Sequence, residues 1–116
     1  QNPESKEYWV CGISFGAWVG MQLLMRRPEI PKFILLSPPV GKYDFNFLAP
    51  CPASGVIISG EKDTLIDKDH VKDVATKLNK QKSISVKYDS VKGADHFFSN
   101  NETKVIEKIK KYISKV

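Results

Sequence analysis

Three short segments of the chain are almost wholly apolar, and a fourth alternates between apolar and polar residues. The apolar segments span residues 8–12, 33–37 and 56–59, and each gives way to Gly, Ser or Pro. Continuous apolar runs of this length are typical of strands buried on both faces of a parallel sheet. The alternation in residues 83–88 predicts a strand with one wetter face, near an edge of the sheet.

Between the predicted strands lie three segments with helical patterns. Residues 15–27 are mostly apolar and stop before Pro28, which disfavours continuation of a helix. Residues 69–80 place apolar side chains at i, i+3, i+4 and i+7, the spacing of one buried helix face. Residues 102–114 carry an apolar stripe opposite a lysine-rich face, which is most simply solvated.

The predicted elements follow the order strand–helix–strand–loop–strand–helix–strand–helix. This alternation favours an α/β fold, in which a three-layer parallel sheet of about four strands has helices on both faces. We expect residues 1–116 to form a single domain. In open sheets of this kind the active site lies at the carboxyl ends of the strands, and the polar residues of interest fall there.

The net charge of the chain changes this picture little. It is +5 over 116 residues, with most of the cations supplied by lysine. The lysines spread over helix faces and turns without an aromatic-interleaved basic stripe, so we expect no nucleic-acid partner. No stretch approaches the roughly 18 uncharged apolar residues of a membrane span, and the polar N-terminus carries no signal pattern. These features favour a cytoplasmic protein with no membrane partner.

The cysteines and one acidic segment bear on metal and redox chemistry. Cys11 and Cys51 are far apart and belong to no Cys-x-x-Cys or His–Cys cluster. We expect both to be reduced, with Cys11 packed as a small buried hydrophobe. The residue types of Asp67, Asp69 and His70 are those of a metal site. Acidic residues at a helix N-terminus are better explained by capping and by the helix macrodipole. We therefore predict no metal and no cofactor.

Residues 12–16 read Gly-Ile-Ser-Phe-Gly and match the pattern G-x-S-x-G. They stand directly after a predicted buried strand and directly before a predicted helix. In a nucleophile elbow the serine occupies a sharp, strained turn, and the glycines let the strand and the helix approach closely. Ser14 is therefore a candidate nucleophile. The alternative is an ordinary glycine-rich turn between a strand and a helix.

A serine hydroxyl needs a base to remove its proton, and the base needs an acid to orient it. Asp63 follows the third predicted strand and His96 follows the fourth, so both lie at carboxyl ends of strands, in the order that accompanies such an elbow. Asp63 could instead be a turn residue, and Glu61 or Asp67 would then be the candidate for the acid that orients the base. His96 could be a packed structural histidine, whereas His70 begins a predicted helix and is expected at the surface.

Several segments resemble the α/β-hydrolase superfamily, in the same order along the chain. They are residues 9–30, which contain the elbow, and Ser-Pro-Pro, Tyr-Asp-Phe-Asn-Phe-Leu-Ala-Pro-Cys-Pro, Ser-Gly-Glu-Lys-Asp and Gly-Ala-Asp-His-Phe-Phe. The resemblance covers nearly the whole chain and is closest to small bacterial members related to dienelactone hydrolases and esterases. It implies Ser14 as nucleophile, Asp63 as the acid that orients the imidazole, His96 as general base and the N–H of Phe15 as an oxyanion-hole donor.

The sequence departs from the superfamily in its length. It begins just before the nucleophile strand, so the resemblance implies the C-terminal half of the fold, without the N-terminal strands. The loop that supplies a second oxyanion N–H would then also be missing. The nucleophile strand of such a truncated domain has an unpaired edge, and unpaired edges favour association. We therefore expect a homo-oligomer formed through that edge.

The ordered candidates favour a serine hydrolase of the carboxylesterase or acyl-hydrolase type, acting on a small-molecule acyl substrate through an acyl-enzyme. The alternative is a non-catalytic fragment that self-associates or docks to a partner. Apolar side chains near the candidates could line an acyl pocket or close the core, and the pattern leaves both open. They are Phe15, Trp18, Tyr43, Phe45, Phe47, Leu48, Phe97 and Phe98. The pattern does not choose between ester, thioester, lactone and short peptide.

Overall fold

The computed structural model describes residues 9–27, 29–48 and 51–115, and these form four strands and three α-helices. The strands are β1 (Trp9–Ile13), β2 (Lys32–Leu36), β3 (Ser54–Gly60) and β4 (Val86–Val91). The helices are α1 (Phe15–Arg26), α2 (Lys68–Leu78) and α3 (Glu102–Ser114), with a 3₁₀ turn over Asn46–Leu48.

The four strands form one parallel sheet in the order β1-β2-β3-β4. The register places Ile13 opposite Leu36, Leu36 opposite Ile58, and Gly60 opposite Val91. The carboxyl ends of all four strands therefore meet at one edge of the sheet. The predicted α/β class and strand order along the chain are confirmed.

The core has two parts because helices cover both faces of the sheet. Alternate residues of a strand point to opposite faces. Ile57 thus packs in a cluster with α1 and α2, whereas Ile58 packs in a second cluster with α3. Burial on both faces explains why β2 and β3 are continuous apolar runs rather than alternating ones.

The fourth strand begins and ends later than predicted. It spans Val86–Val91 instead of residues 83–88, and it does lie at an edge of the described sheet. The side chain of Asn79 accepts from the N–H of Val86 at 2.6 Å and donates to its carbonyl at 2.5 Å, so this contact marks where the strand starts. Tyr8 and Pro28, which bound the first predicted strand and helix, lie outside the described residues.

The prediction that Cys11 is buried is wrong. Its side chain is exposed, because β1 forms an edge of the described sheet and the apolar contacts of α3 lie mostly on the other strands. Cys51 is buried, and this burial raises the pKa of its thiol above the usual value. Both cysteines are free. Across the described ranges no helix has the length and apolar character to cross a membrane.

Candidate active site

The carboxyl ends of the strands hold the three candidate catalytic residues. Ser14 follows β1, Asp63 follows β3 and His96 follows β4. Because neighbouring strands lie about 4.8 Å apart, roughly 14 Å separates the end of β1 from that of β4. The loops after these strands must therefore fold back over the sheet edge if the three side chains are to meet.

Ser14 occupies the sharp turn between β1 and α1. Its φ of 53° and ψ of −124° are rarely adopted by residues other than glycine. Its N–H donates to the carbonyl of Leu36 at 2.8 Å, which fixes the turn to the end of β2. A Cβ at Gly12 would lie 2.5 Å from the carbonyl oxygen of Gly16, so strand and helix approach closely because position 12 lacks a side chain. A Cβ at Gly16 would meet nothing within 4 Å, so this second glycine is not needed for the approach.

The side chains of Ser14, His96 and Asp63 form a hydrogen-bonded chain. Ser14 Oγ lies 2.8 Å from His96 Nε2, and His96 Nδ1 lies 2.6 Å from Asp63 Oδ2. An ionised carboxylate can only accept, so Nδ1–H donates to Asp63 and leaves Nε2 free to accept from the hydroxyl. The side chains of His96 and Asp63 are 6% and 3% exposed, so little water competes for these bonds.

The carboxylate of Asp63 is itself held by the backbone that follows it. Its Oδ1 accepts from the N–H groups of Leu65 and Ile66 at 2.8 and 2.9 Å. These bonds occupy the oxygen that does not face the imidazole, so the carboxylate cannot rotate without losing them. The acid is therefore fixed in the orientation that places Oδ2 on His96.

The loop that carries His96 crosses the end of β3 on its way back over the sheet. The N–H of Lys62 donates to the carbonyl of Ala94 at 2.8 Å. A Cβ at Gly60 would lie 2.2 Å from the carbonyl oxygen of Asp95 and 2.5 Å from that of Ala94. Only a glycine at position 60 leaves room for the loop on this path.

The same loop is anchored at the end of β2 by Ser37. This residue has a φ of 49°, is 1% exposed, and donates its Oγ hydrogen to the carbonyl of His96 at 2.6 Å. Its own N–H donates to the carbonyl of Ile58 at 2.8 Å. Ser37 is not among the residues predicted for the site. Its partner is a backbone carbonyl 59 positions away, which leaves no pattern of side-chain types to detect.

Contacts within the loop give it a defined shape. The carboxylate of Asp95 accepts from the N–H groups of Ser99 and Phe97 at 2.9 and 3.2 Å. These backbone donors, Ser99 foremost, hold the pKa of Asp95 below its usual value. Phe98 turns at a φ of 57°, and its buried ring packs in the α3 cluster. The loop is thus anchored to the core directly beside His96.

The alternative acids and the second histidine are engaged elsewhere. Glu61 Oε1 accepts from the N–H of Gly93 at 2.9 Å, and Asp67 Oδ1 accepts from the N–H of Asp69 at 2.9 Å, which caps α2. His70 Nε2 lies 3.9 Å from Asp67 Oδ2, with both side chains largely exposed. Within the described part of the chain, no group of three or more His, Cys, Asp or Glu residues is placed to hold a metal ion.

Phe15 is the first residue of α1, so its N–H has no acceptor within the helix. The residue directly after the nucleophile supplies one oxyanion donor in an elbow of this kind. The helix N-terminus adds a partial positive charge at the same place. In the superfamily a second donor comes from a loop between strands that precede the nucleophile strand.

Comparison with known proteins bears on the fold that carries these residues. A protein of unknown function from Agrobacterium tumefaciens, assigned provisionally to the α/β hydrolases, superposes with a TM-score of 0.91 at 46% sequence identity. The match covers 97% of this chain and 51% of that one. This chain has the fold of the C-terminal half of an α/β hydrolase.

Two further solved structures share the α/β-hydrolase fold. An α/β serine hydrolase without a lid from Xanthomonas campestris is 24% identical, with a TM-score of 0.78 over 92% of this chain and 46% of its own. An α/β serine hydrolase homologue from Coxiella burnetii is 23% identical, with a TM-score of 0.72 over 91% of this chain and 49% of its own. At these identities the likeness concerns the fold.

A relative found by sequence comparison is longer than this chain. An uncharacterized protein of Rickettsia prowazekii (strain Madrid E) is 46% identical over an alignment of 116 positions. The alignment covers 97% of this chain and 49% of that protein. No family model matches the sequence. The chain therefore spans about half the length of the curated relative and of the solved structures that it matches. The roles of Ser14, Asp63 and His96 in chemistry stay predictions.

Proposed function

We propose that the chain carries the catalytic residues of a serine hydrolase that acts on ester-type bonds through an acyl-enzyme. One observation carries the proposal: Ser14, His96 and Asp63, spread over 49 and 33 residues of sequence on three loops, meet in one hydrogen-bonded chain. The direction of these two hydrogen bonds allows the imidazole to remove the hydroxyl proton. The 46% identity to an Agrobacterium protein assigned provisionally to the α/β hydrolases supports the same function.

Acylation begins when Ser14 Oγ attacks the carbonyl carbon of the substrate. His96 Nε2 takes the hydroxyl proton as the C–O bond forms, and Asp63 stabilises the resulting imidazolium through Nδ1–H. The carbonyl oxygen becomes an oxyanion, which accepts a hydrogen bond from the N–H of Phe15. When the tetrahedral intermediate collapses, the leaving alcohol takes the proton from Nε2 and departs.

Deacylation repeats these steps with water as the nucleophile. His96 takes one proton from the water as its oxygen attacks the acyl carbon, and the oxyanion again faces Phe15. Collapse releases the carboxylic acid and returns the proton to Ser14 Oγ. The buried imidazole thus serves as base and then as acid in each half of the cycle.

A fluorophosphonate probe tests this proposal directly. Ser14 Oγ should displace fluoride from phosphorus, and mass spectrometry should find the adduct on the peptide that contains Ser14. The Ser14→Ala variant should not be labelled, while Ser114→Ala, which alters an exposed serine at the end of α3, should be labelled as the wild type is. A folded wild-type chain that stays unlabelled at Ser14 would contradict the proposal.

We propose as a second candidate a non-catalytic function, in which the chain associates with another copy through β1 and α1. It is favoured by exposed apolar side chains concentrated on these two elements: Cys11, Ile13, Val19 and Leu23. This function predicts a stable complex without hydrolysis of p-nitrophenyl acetate above the rate in buffer.

A further inference from the structure

Each of the four strands is followed by a loop or helix start that exposes one large apolar side chain. Phe15 follows β1, Tyr43 follows β2, Leu65 follows β3 and Phe97 follows β4. Their side chains are between 41% and 59% exposed. We call these four residues the apolar rim. Phe15, Leu65 and Phe97 lie one or two positions after Ser14, Asp63 and His96, respectively. Tyr43 contacts the ring of Phe15, so the rim lies beside the candidate triad.

Packing of the core does not account for the rim. Other apolar residues of the same loops are buried in the two core clusters, namely Phe45, Leu48 and Phe98. The sequence left open whether the aromatic side chains of these loops close the core or line a pocket. The structure buries Phe45 and Phe98 and leaves Phe15, Tyr43 and Phe97 exposed. The rim residues are thus exposed beside the hydrogen-bonded side chains of Ser14, His96 and Asp63, at the place where the acyl part of a substrate would lie.

Three of the four rim residues, Phe15, Tyr43 and Phe97, make ring contacts with their neighbours. The ring of Phe15 lies 5.3 Å from that of Tyr43 and 5.7 Å from that of Trp18, and Trp18 lies 4.9 Å from Tyr43. The indole N–H of Trp18 donates to the carbonyl of Asp44 at 3.0 Å. On the other side, the ring of Phe97 stands edge-on to the imidazole of His96 at 4.8 Å.

We propose that the apolar rim binds the acyl chain of the substrate, so that the chain acts on esters or thioesters of apolar acyl groups in preference to acetate. This inference rests on the proposed function and names its substrate class. Apolar surface transferred from water to the rim stabilises the bound state in proportion to its area. Each methylene covered by the rim is therefore expected to raise the rate by about twofold to fourfold.

The test is a series of fluorophosphonates with ethyl, butyl and octyl groups on phosphorus, where the alkyl group takes the place of the acyl chain. In each reaction the P–F bond breaks, the Ser14 Oγ–P bond forms, fluoride leaves and the hydroxyl proton passes to His96. The second-order rate of labelling is measured by mass spectrometry. We expect the octyl probe to react at least tenfold faster than the ethyl probe.

The ratio of the octyl to the ethyl labelling rate reports acyl-chain specificity separately from the reactivity of Ser14. Phe97→Ala and Tyr43→Ala should each lower this ratio severalfold, whatever they do to the ethyl rate. The matched control is Ile106→Ala, which removes a similarly exposed apolar side chain on α3 and should leave the ratio unchanged. Equal ratios in all variants, or equal rates for all probes, would overturn the substrate class while leaving the hydrolase proposal intact.

A binding measurement keeps the inference testable if Ser14 proves unreactive. In the Ser14→Ala chain with Trp9→Phe, fluorescence reports on Trp18, which contacts two rim residues. Octanoate should change this fluorescence at concentrations well below those that acetate requires. The same response to both carboxylates would contradict the rim as an acyl site, independently of any catalytic step.

Discussion

Asp63 divides its two carboxylate oxygens between structure and chemistry. Oδ1 accepts from the backbone of Leu65 and Ile66, and Oδ2 faces His96 Nδ1. An asparagine at this position could keep its oxygen on the two backbone donors. Its amide group, however, would present N–H to Nδ1 and stabilise the tautomer whose Nε2 already carries a proton.

Asp63→Asn should therefore lower the rate of Ser14 labelling without unfolding the chain. We expect a loss of about 10³–10⁴-fold, because the imidazole can no longer accept the hydroxyl proton. Labelling kinetics and the circular dichroism spectrum together check this outcome. Asp67→Asn, which alters the α2 cap, serves as the control and should label at the wild-type rate. An unimpaired Asp63→Asn chain would remove Asp63 from the proposed mechanism.

Ser37 holds the backbone of His96 rather than its side chain. In Ser37→Ala the buried carbonyl of His96 loses its donor, and leaving such a group unpaired costs about 1–3 kcal/mol. We expect a lower free energy of unfolding in urea and slower labelling of Ser14. Thr76→Ala removes an exposed hydroxyl that donates to a helix carbonyl and is the matched control. If the two variants lose the same stability, Ser37 is not a special anchor.

At the scale of elements, the path of the His96 loop depends on the end of β3. Gly60→Ala places a Cβ against two loop carbonyls and should displace the loop, lowering both stability and labelling. Gly16→Ala introduces the same methyl where nothing lies within 4 Å, and in a helix it should stabilise by about 0.5–1 kcal/mol. Urea unfolding and labelling of the two variants are the measurements. A tolerated Gly60→Ala would show that the loop has another route.

Local patterns were sufficient to predict the elements, but not the crossings between them. The apolar runs and the helical spacing indicated all four strands and all three helices that the described residues form. The start of β4 was misplaced because Ile84 fits the alternation yet lies before the paired residues. The requirement for Gly60 and the anchor at Ser37 arise from backbone carbonyls distant in sequence, and no local pattern reports them.

At the scale of the whole molecule, α1 is apolar on nearly every side although only one side faces the core. Ala17, Met21 and Leu24 are buried, whereas Val19 and Leu23 are exposed. A helix that is apolar all round is normally buried on all sides. The relatives that the chain matches are about twice its length, so their further residues are available to cover such a surface.

The proposed association through β1 and α1 makes a prediction of its own. Light scattering should give a mass above that of one chain, and Leu23→Lys should shift it towards the monomer, because a lysine resists desolvation in an apolar interface. Ile106→Lys alters a similarly exposed residue of α3, which packs on the opposite face of the sheet from α1, and should not shift the mass. A wild-type chain that is monomeric in dilute solution would count against this interface.

Ser14 follows β1 and His96 follows β4, the two outer strands of the described sheet, so their 2.8 Å contact depends on all three strand pairings. Strands can slide past one another only in steps of about 3.3 Å, the rise of one residue. One such slip in any of the three pairings would carry the hydroxyl and the imidazole out of reach. During refolding, Ser14 should thus become reactive only after the last strand pairing has formed. The time at which labelling of Ser14 begins would therefore report when the alignment of the strands is complete.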